Sequence, residues 1–251
     1  MRKPFQGVWN IVRFNWHFYI GAGLLLFAGI GLSALLPEPT GGYLRLFCIA
    51  AALPVGVSLA VSFYVYDFSS LYDFHWLKTE TGGGDLRIAN INAGFDEASR
   101  LLQDKFPDAQ LTVLDFFDPS KHTEVSIKRA RKAYPPFPGT ESIETRKLPL
   151  EDASMDLVML FLAAHEIRNE AERAMFFREV YRILKPTGKA LVTEHLRDVP
   201  NFIAYNVGFF HFVARRAWYR TFDQAALAVF REMKHSPFIT TFFLRKHGRP
   251  N

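Results

Sequence analysis

Cysteine is almost missing from this chain: Cys48 is alone among 251 residues and sits inside an apolar run. That excludes a disulfide framework and a cysteine-based metal centre, and no other metal-ligand spacing is visible. Charge is missing from two long stretches. Trp16 to Leu36 spans 21 residues without Asp, Glu, Lys or Arg, and Leu46 to Tyr66 is a second such run of the same length. At about 1.5 Å per helical residue, either is long enough to cross a hydrocarbon core of about 30 Å. Trp16 and Tyr19 at the start of the first run suit interfacial anchors, and Tyr64 and Tyr66 stand at the far end of the second. The segment PEPTGG (37–42) breaks the helix between the runs, so the expectation is a transmembrane hairpin, 16–36 and 46–66. Pro54 can kink the second span without preventing it. Arg45 lies at its mouth, where its charge can snorkel to the headgroups. The first run is too long for a signal peptide, and no A-x-A cleavage site follows it. Arg2, Lys3 and Arg13 flank the hairpin on one side and the short turn carries only Glu38, which places both chain ends in the cytoplasm, in a multi-pass cytoplasmic membrane protein. Gly21, Gly29 and Gly31 would permit close helix packing, including a homodimer.

What remains after the hairpin is about 185 residues, enough for one sizeable globular core. The chain is 49% hydrophobic and carries a net charge of +5. Its basic residues are dispersed and belong to no nucleic-acid-binding motif, so attraction to an anionic lipid bilayer is the simpler use of the charge. The densest cluster, KRARK (128–132), reads as the solvated face of a helix.

The most informative stretch is 148–194. Asp156 to Leu162 is a short continuous apolar run, as expected of a strand buried on both faces. An exit loop, AAHEIR (163–168), follows it. From Glu170 to Leu184, apolar Ala174, Phe177, Val180, Tyr181 and Leu184 recur at three- and four-residue spacing among charged residues, the pattern of an amphipathic helix. KPTG (185–188) stops that helix, and Ala190 to Thr193 begins another strand. Strand, helix and strand in this order form a βαβ unit and imply a parallel sheet.

These residues resemble the class I S-adenosylmethionine-dependent methyltransferases. The carrying text is LPLEDASMDLV (148–158), His165 and REVYRILKPTG (178–188), within a match of about 110 residues from Asp85 to Glu194. The resemblance implies a Rossmann-like, seven-stranded α/β sheet and S-adenosylmethionine as cofactor. The first half departs from the family. Where an acidic residue and a GxGxG loop are usual, this chain has IANINAGFDE (88–97): Asn90 replaces the acid, Asn92 stands at the first glycine, Gly94 survives and Phe95 adds bulk. Asn90, Asn92 and Asp96 read equally as an Asn/Asp-rich turn or as a rebuilt cofactor loop. Asp115 ends the second strand (Leu111–Phe116), where the family's ribose-binding carboxylate lies. Phe116 is placed to cover an adenine, and Glu144 stands near the family's third-strand acid.

Further expectations concern the flanks. Residues 1–66 form the anchor and 67–84 an aromatic linker, which either closes over the cofactor through Tyr72 and Asp67 or ties the domain to the bilayer. Residues 85–251 form the methyltransferase-like domain, with an acceptor-side insertion at about 197–225. Within it, 201–222 mixes aromatic and basic residues, open to three readings: a membrane-surface segment, an acceptor pocket or core helix. Ala228 to Lys234 and Ile239 to Lys246 read as a closing antiparallel pair. Methyl transfer from a sulfonium needs donor and acceptor held in line, and an oxygen acceptor must also lose a proton. His165, as general base or acceptor-orienting group, and Glu166, as its alternative, lie at the exit of strand four, where open α/β sheets bind ligands. Glu194 and His195 are a second polar pair on the same edge. The sequence thus points to a membrane-anchored methyltransferase with a hydrophobic, lipid-like or aromatic acceptor. Its rival is a non-catalytic binding or assembly protein at the membrane.

Overall fold

The computed structural model describes residues 3–77 and 85–247; the 78–84 end of the expected linker lies outside them. Three helices open the chain: α1 (Gln6–Phe14), α2 (Trp16–Leu35) and α3 (Thr40–Phe63). α2 and α3 pack as an antiparallel hairpin and expose almost all their apolar surface, so by length and composition both are able to cross a membrane. The second helix starts at Thr40, earlier than the apolar run, because Arg45 sits in its first turns paired with Glu38 across the turn. Pro54 is accommodated within it. Gly29 faces inward: a Cβ there would lie 2.6 Å from Cys48 Sγ, so this glycine serves the contact within the hairpin, whereas Gly21 and Gly31 face open space.

After α3 the chain winds through one π-helical turn (Tyr64–Phe68) and two 3-10 turns onto the globular domain, burying Val65, Leu71, Tyr72, Phe74 and Leu77 against the sheet. The sheet contains β1 (Arg87–Asn92), β2 (Gln110–Asp115), β3 (Glu141–Ser142), β4 (Met155–Phe161), β5 (Leu184–His195), β6 (Leu227–Ser236) and β7 (Ile239–Lys246). Their spatial order is β3-β2-β1-β4-β5-β7-β6, with β1 to β5 parallel and β7 antiparallel to both neighbours. α4 (Ser99–Lys105), α5 (Val125–Ala133), α6 (Glu170–Ile183), α7 (Val199–Tyr205) and α8 (Arg215–Gln224) flank it. The central strands are buried on both faces, which is why they read as unbroken apolar runs. Phe176, Phe177, Val180 and Ile183 of α6 pack on one face with Trp218 and Phe222 of α8, so the α8 part of the 201–222 segment is core helix.

Strand order reverses between β1 and β4. At such a switch point the two crossovers leave the sheet on opposite faces and open a crevice at the carboxyl ends of the strands.

Candidate functional site

Three adjoining cavities run along that carboxyl edge. One, of about 650 Å³, lies between the loops after β2, β3 and β4 and is lined by Phe116, Phe117, Ile143, Glu144 and Glu166 among others. A second, of about 270 Å³, is bounded by Ala93 and Phe95 after β1, Leu162 and His165 after β4, His195, Tyr72 and the inner face of α1. A smaller one, of about 230 Å³, adjoins both, sharing Glu166 with each.

Each expected residue has a definite place. Asn90 is buried and its amide donates to Asp96 Oδ1 at 3.1 Å and to Ser99 Oγ at 2.8 Å, so it braces the loop and lines none of these three cavities. Asn92 stays in the strand, donating to the Leu114 carbonyl and accepting from the Gly94 amide; the positive φ of 93° falls on Gly94 alone in this loop. Asp96 also caps the start of α4, taking the Ala98 and Ser99 amides. Tyr72 lines the second cavity and donates to Glu97 at 2.7 Å. Asp67 does something the sequence did not suggest: its carboxylate accepts the Gly7 and Val8 amides, both at 2.7 Å, and so pins the N-terminus of α1. Phe116 is largely core, packed on Phe176, while Phe117 is the ring lying over Gly94. Glu144 is exposed on the wall of the largest cavity.

The KRARK segment forms α5, but its reading as a solvated face needs correction. Arg129 Nη1 turns inward to the Phe14 carbonyl and to His17 Nδ1, each at 2.7 Å, with its guanidinium over Trp16. Arg131 Nη1 lies 2.5 Å from Asp115 Oδ2 and stacks on Phe117. α5 thus clamps the junction of α1 and α2 with one cation and closes over the second strand's carboxylate with another.

At the other end of the crevice a positive-φ turn at Leu162 leads β4 into the 3-10 turn carrying His165 and Glu166. The fully buried Glu194 receives both the His165 amide at 3.1 Å and its ring Nδ1 at 2.6 Å. Glu166 Oε1 is 3.5 Å from His165 Nε2 and 3.1 Å from His211 Nε2. Burial works against the His165 imidazolium, but the charge and hydrogen bonds of Glu194 and Glu166 outweigh it and push its pKa up to about 10. Burial likewise opposes ionisation of Glu166, yet hydrogen bonds from His165 and His211 hold it well below the usual carboxylate range. At neutral pH the pair therefore offers one donor and one acceptor to the cavity, which suits orienting an acceptor hydroxyl. His195 is the opposite case. Burial lowers its pKa to about 4, so the neutral ring donates from Nδ1 to Asn201 Oδ1 and accepts the Tyr66 hydroxyl at Nε2, 2.7 Å away. His211, Arg131 and α1 were not read from the sequence as part of the site. For α1 the apolar spacing of Val8, Ile11 and Phe14 was a usable sign; for the other two there was none.

Residues 90–192 match the family profile described as "Methyltransferase domain". Residues 90–192 therefore carry a methyltransferase domain. Its fold is shared by a SAM-dependent methyltransferase from Aquifex aeolicus, 14% identical, with a TM-score of 0.51 over 76% of this chain and 97% of that one. A geranyl diphosphate C-methyltransferase from Streptomyces coelicolor, whose structure contains Mg2+, geranyl diphosphate and S-adenosyl-L-homocysteine, is 9% identical, with a TM-score of 0.51 over 70% and 78%. No curated protein matches in sequence. The cofactor that the sequence resemblance implies is S-adenosylmethionine.

The donor set fits that cofactor with one rearrangement. Asp115 would meet the ribose, Phe117, Ile143 and Glu144 border room for an adenine, and Asp96 Oδ2, on the loop after β1, is buried without a partner. The close approach that Gly94 permits is taken by the chain itself: a Cβ there would lie 2.8 Å from both Arg131 Nη1 and the Phe117 ring. Arg131 must leave Asp115 for a ribose to enter. As the tip of a long, partly exposed side chain, it is able to do so.

Proposed function

We propose that this protein is a membrane-anchored S-adenosylmethionine-dependent methyltransferase whose acceptor is hydrophobic, lipid-like or aromatic, and enters the second cavity from the bilayer side. The carrying observation is the lining of that cavity. Gly7, Asn10, Ile11 and Phe14 of α1 form one wall, and α1 runs directly into α2, one of the two exposed apolar helices. A soluble acceptor has no need of a wall built from a membrane-proximal helix. Exposed Val199, Phe202, Ile203, Val207 and Phe210 lie on α7 and the turn after it, and α7 packs on α3, which supports a domain seated against the membrane surface. The catalytic domain then faces the cytoplasm, where the methyl donor is dissolved.

In the reaction the acceptor atom attacks the methyl carbon in line. A bound cofactor would supply the methyl group and, keeping the electron pair of the broken carbon–sulfur bond, would depart as S-adenosylhomocysteine. The chain's own residues position: the donor on His165 and the acceptor on Glu166 hold the attacking group, and the aromatic walls exclude water. The test is labelled S-adenosylmethionine added to membranes containing the full-length protein, followed by partition of label between lipid extract and aqueous phase. Label in the lipid extract that is lost in His165→Ala supports the reading, provided the variant remains in membranes after alkaline carbonate washing. Label confined to water-soluble acceptors, or release of the wild-type protein by that wash, overturns it.

A further inference from the structure

We propose that His165, Glu166 and His211 form a binding site for a divalent transition-metal ion, of the zinc class, at the polar end of the second cavity. One ligand atom from each lies within 4.8 Å of the others. The shared atom is Glu166 Oε1, 3.5 Å from His165 Nε2 and 3.1 Å from His211 Nε2. An ion with bonds of about 2.0 to 2.2 Å in tetrahedral geometry holds its ligand atoms about 3.3 Å apart, so the two Glu166 spacings already suit it and the two imidazoles, within 4.8 Å, close on the ion. Two imidazole nitrogens and one carboxylate oxygen, with a position left open, suit zinc or another first-row metal better than magnesium or calcium, which prefer all-oxygen sets.

A second observation is independent of the spacing. Glu194, fully buried, takes the Nδ1 proton of His165 at 2.6 Å and also the His165 amide. That contact fixes the ring orientation and leaves Nε2 aimed at Glu166 and His211, as carboxylates do behind metal-binding histidines, and the ion displaces the Nε2 proton on binding. His211 is held from the other side, because its neighbour Phe212 stacks on His195 and Arg197 Nε binds the Phe212 carbonyl. Arg168 is the chain's own cation at this place: its Nη2 lies 2.5 Å from His211 Nδ1 and 2.8 Å from Glu124 Oε1. It is more than half exposed and is able to withdraw towards Glu124. His165 and Glu166 also line the second cavity, so a ligand at the open position could be an acceptor oxygen, polarised there. That role rests on the acceptor reading above; ion binding does not.

The experiment uses full-length protein purified in detergent and stripped with a chelator. Zn2+ is titrated calorimetrically, Co2+ absorption reports geometry, and metal is counted after desalting. The expected result is one ion per chain and a tetrahedral or five-coordinate Co2+ spectrum. His211→Ala, on a half-exposed segment, weakens Zn2+ binding at least about 10-fold, and Glu194→Gln weakens it about 10- to 100-fold. Arg168→Gln tightens it, and His75→Ala, remote from the cluster, leaves it unchanged. Retained S-adenosylhomocysteine binding shows that each variant is folded. Less than one tenth of an ion per chain in the wild type, or equal affinity in a folded His211→Ala, overturns the site. Metal binding without methyl transfer to any hydrophobic acceptor counts against the proposed reaction and leaves the site standing.

Discussion

Arg131 occupies the carboxylate that a cofactor ribose would need. Its ion pair with Asp115 joins a partly exposed guanidinium to a nearly buried carboxylate, and both carboxylate oxygens are engaged, Oδ1 by the Phe117 amide and Oδ2 by Arg131. A ribose must exchange for the guanidinium, and that exchange is a cost charged to binding. A pair this sheltered contributes at least about 1 kcal/mol, roughly a five-fold change in affinity. Arg131→Ala should therefore bind S-adenosylhomocysteine at least about five-fold more tightly by calorimetry, whereas Asp115→Ala should lose measurable binding. Weaker binding by the Arg131 variant would mean that the guanidinium turns to the cofactor instead of giving way. None of this was legible in the sequence. Asp115 was identifiable from its place at the end of a strand, but its partner is 16 residues away in a helix whose basic cluster looked merely solvated.

At the scale of elements, α1 is a wall of the second cavity, proposed above for the acceptor, because Asp67 and Arg129 hold its two ends. The Asp67 carboxylate accepts two amides from the first turn of α1, doing from the end of the hairpin what an N-cap does from within a helix. Arg129 fastens the other end. Removing Asp67 leaves those amides without partners and costs about 1 to 2 kcal/mol of local stability. Asp67→Ala should thus raise amide exchange across residues 6–14, leave exchange in β4 and β5 unchanged, and raise the acceptor KM more than it lowers kcat. Equal protection of α1 in the variant would show that packing alone holds it. The sheet, by contrast, was legible almost strand by strand. β4, α6 and β5 carry their own periodicity, and the closing β6–β7 pair lies close in sequence. The hairpin was equally plain, since two uncharged runs and a breaker need no tertiary information. His211 was not legible, because it reaches Glu166 across 45 residues through an aromatic insertion of irregular backbone.

For the molecule as a whole, the buried histidines set how stability responds to acid. His195 is enclosed by Tyr66, Tyr205, Asn201 and Phe212, with charged His165 near enough to disfavour a second positive charge. Its pKa falls from 6.5 to about 4 on folding, and burial moves His235 in the same direction, also to about 4. Between these limits the unfolded chain binds the proton and the folded one does not, so stability rises with pH there and is lost as pH falls from 6.5 towards 4. Each such group contributes a slope of up to about 1.4 kcal/mol per pH unit, and about 3 kcal/mol across the window. Tm of the detergent-solubilised protein should therefore drop steeply between pH 6.5 and 4. His195→Gln forfeits the contacts to Tyr66 and Asn201 and starts from a lower Tm at neutral pH, yet its Tm should fall less across the same interval. The slope is the informative quantity, because any loss of packing lowers the curve, whereas only removal of a titrating group flattens it. A His195→Gln curve parallel to wild type would mean that the ring is already protonated in the folded protein and that Asn201 and Tyr66 do not hold it neutral.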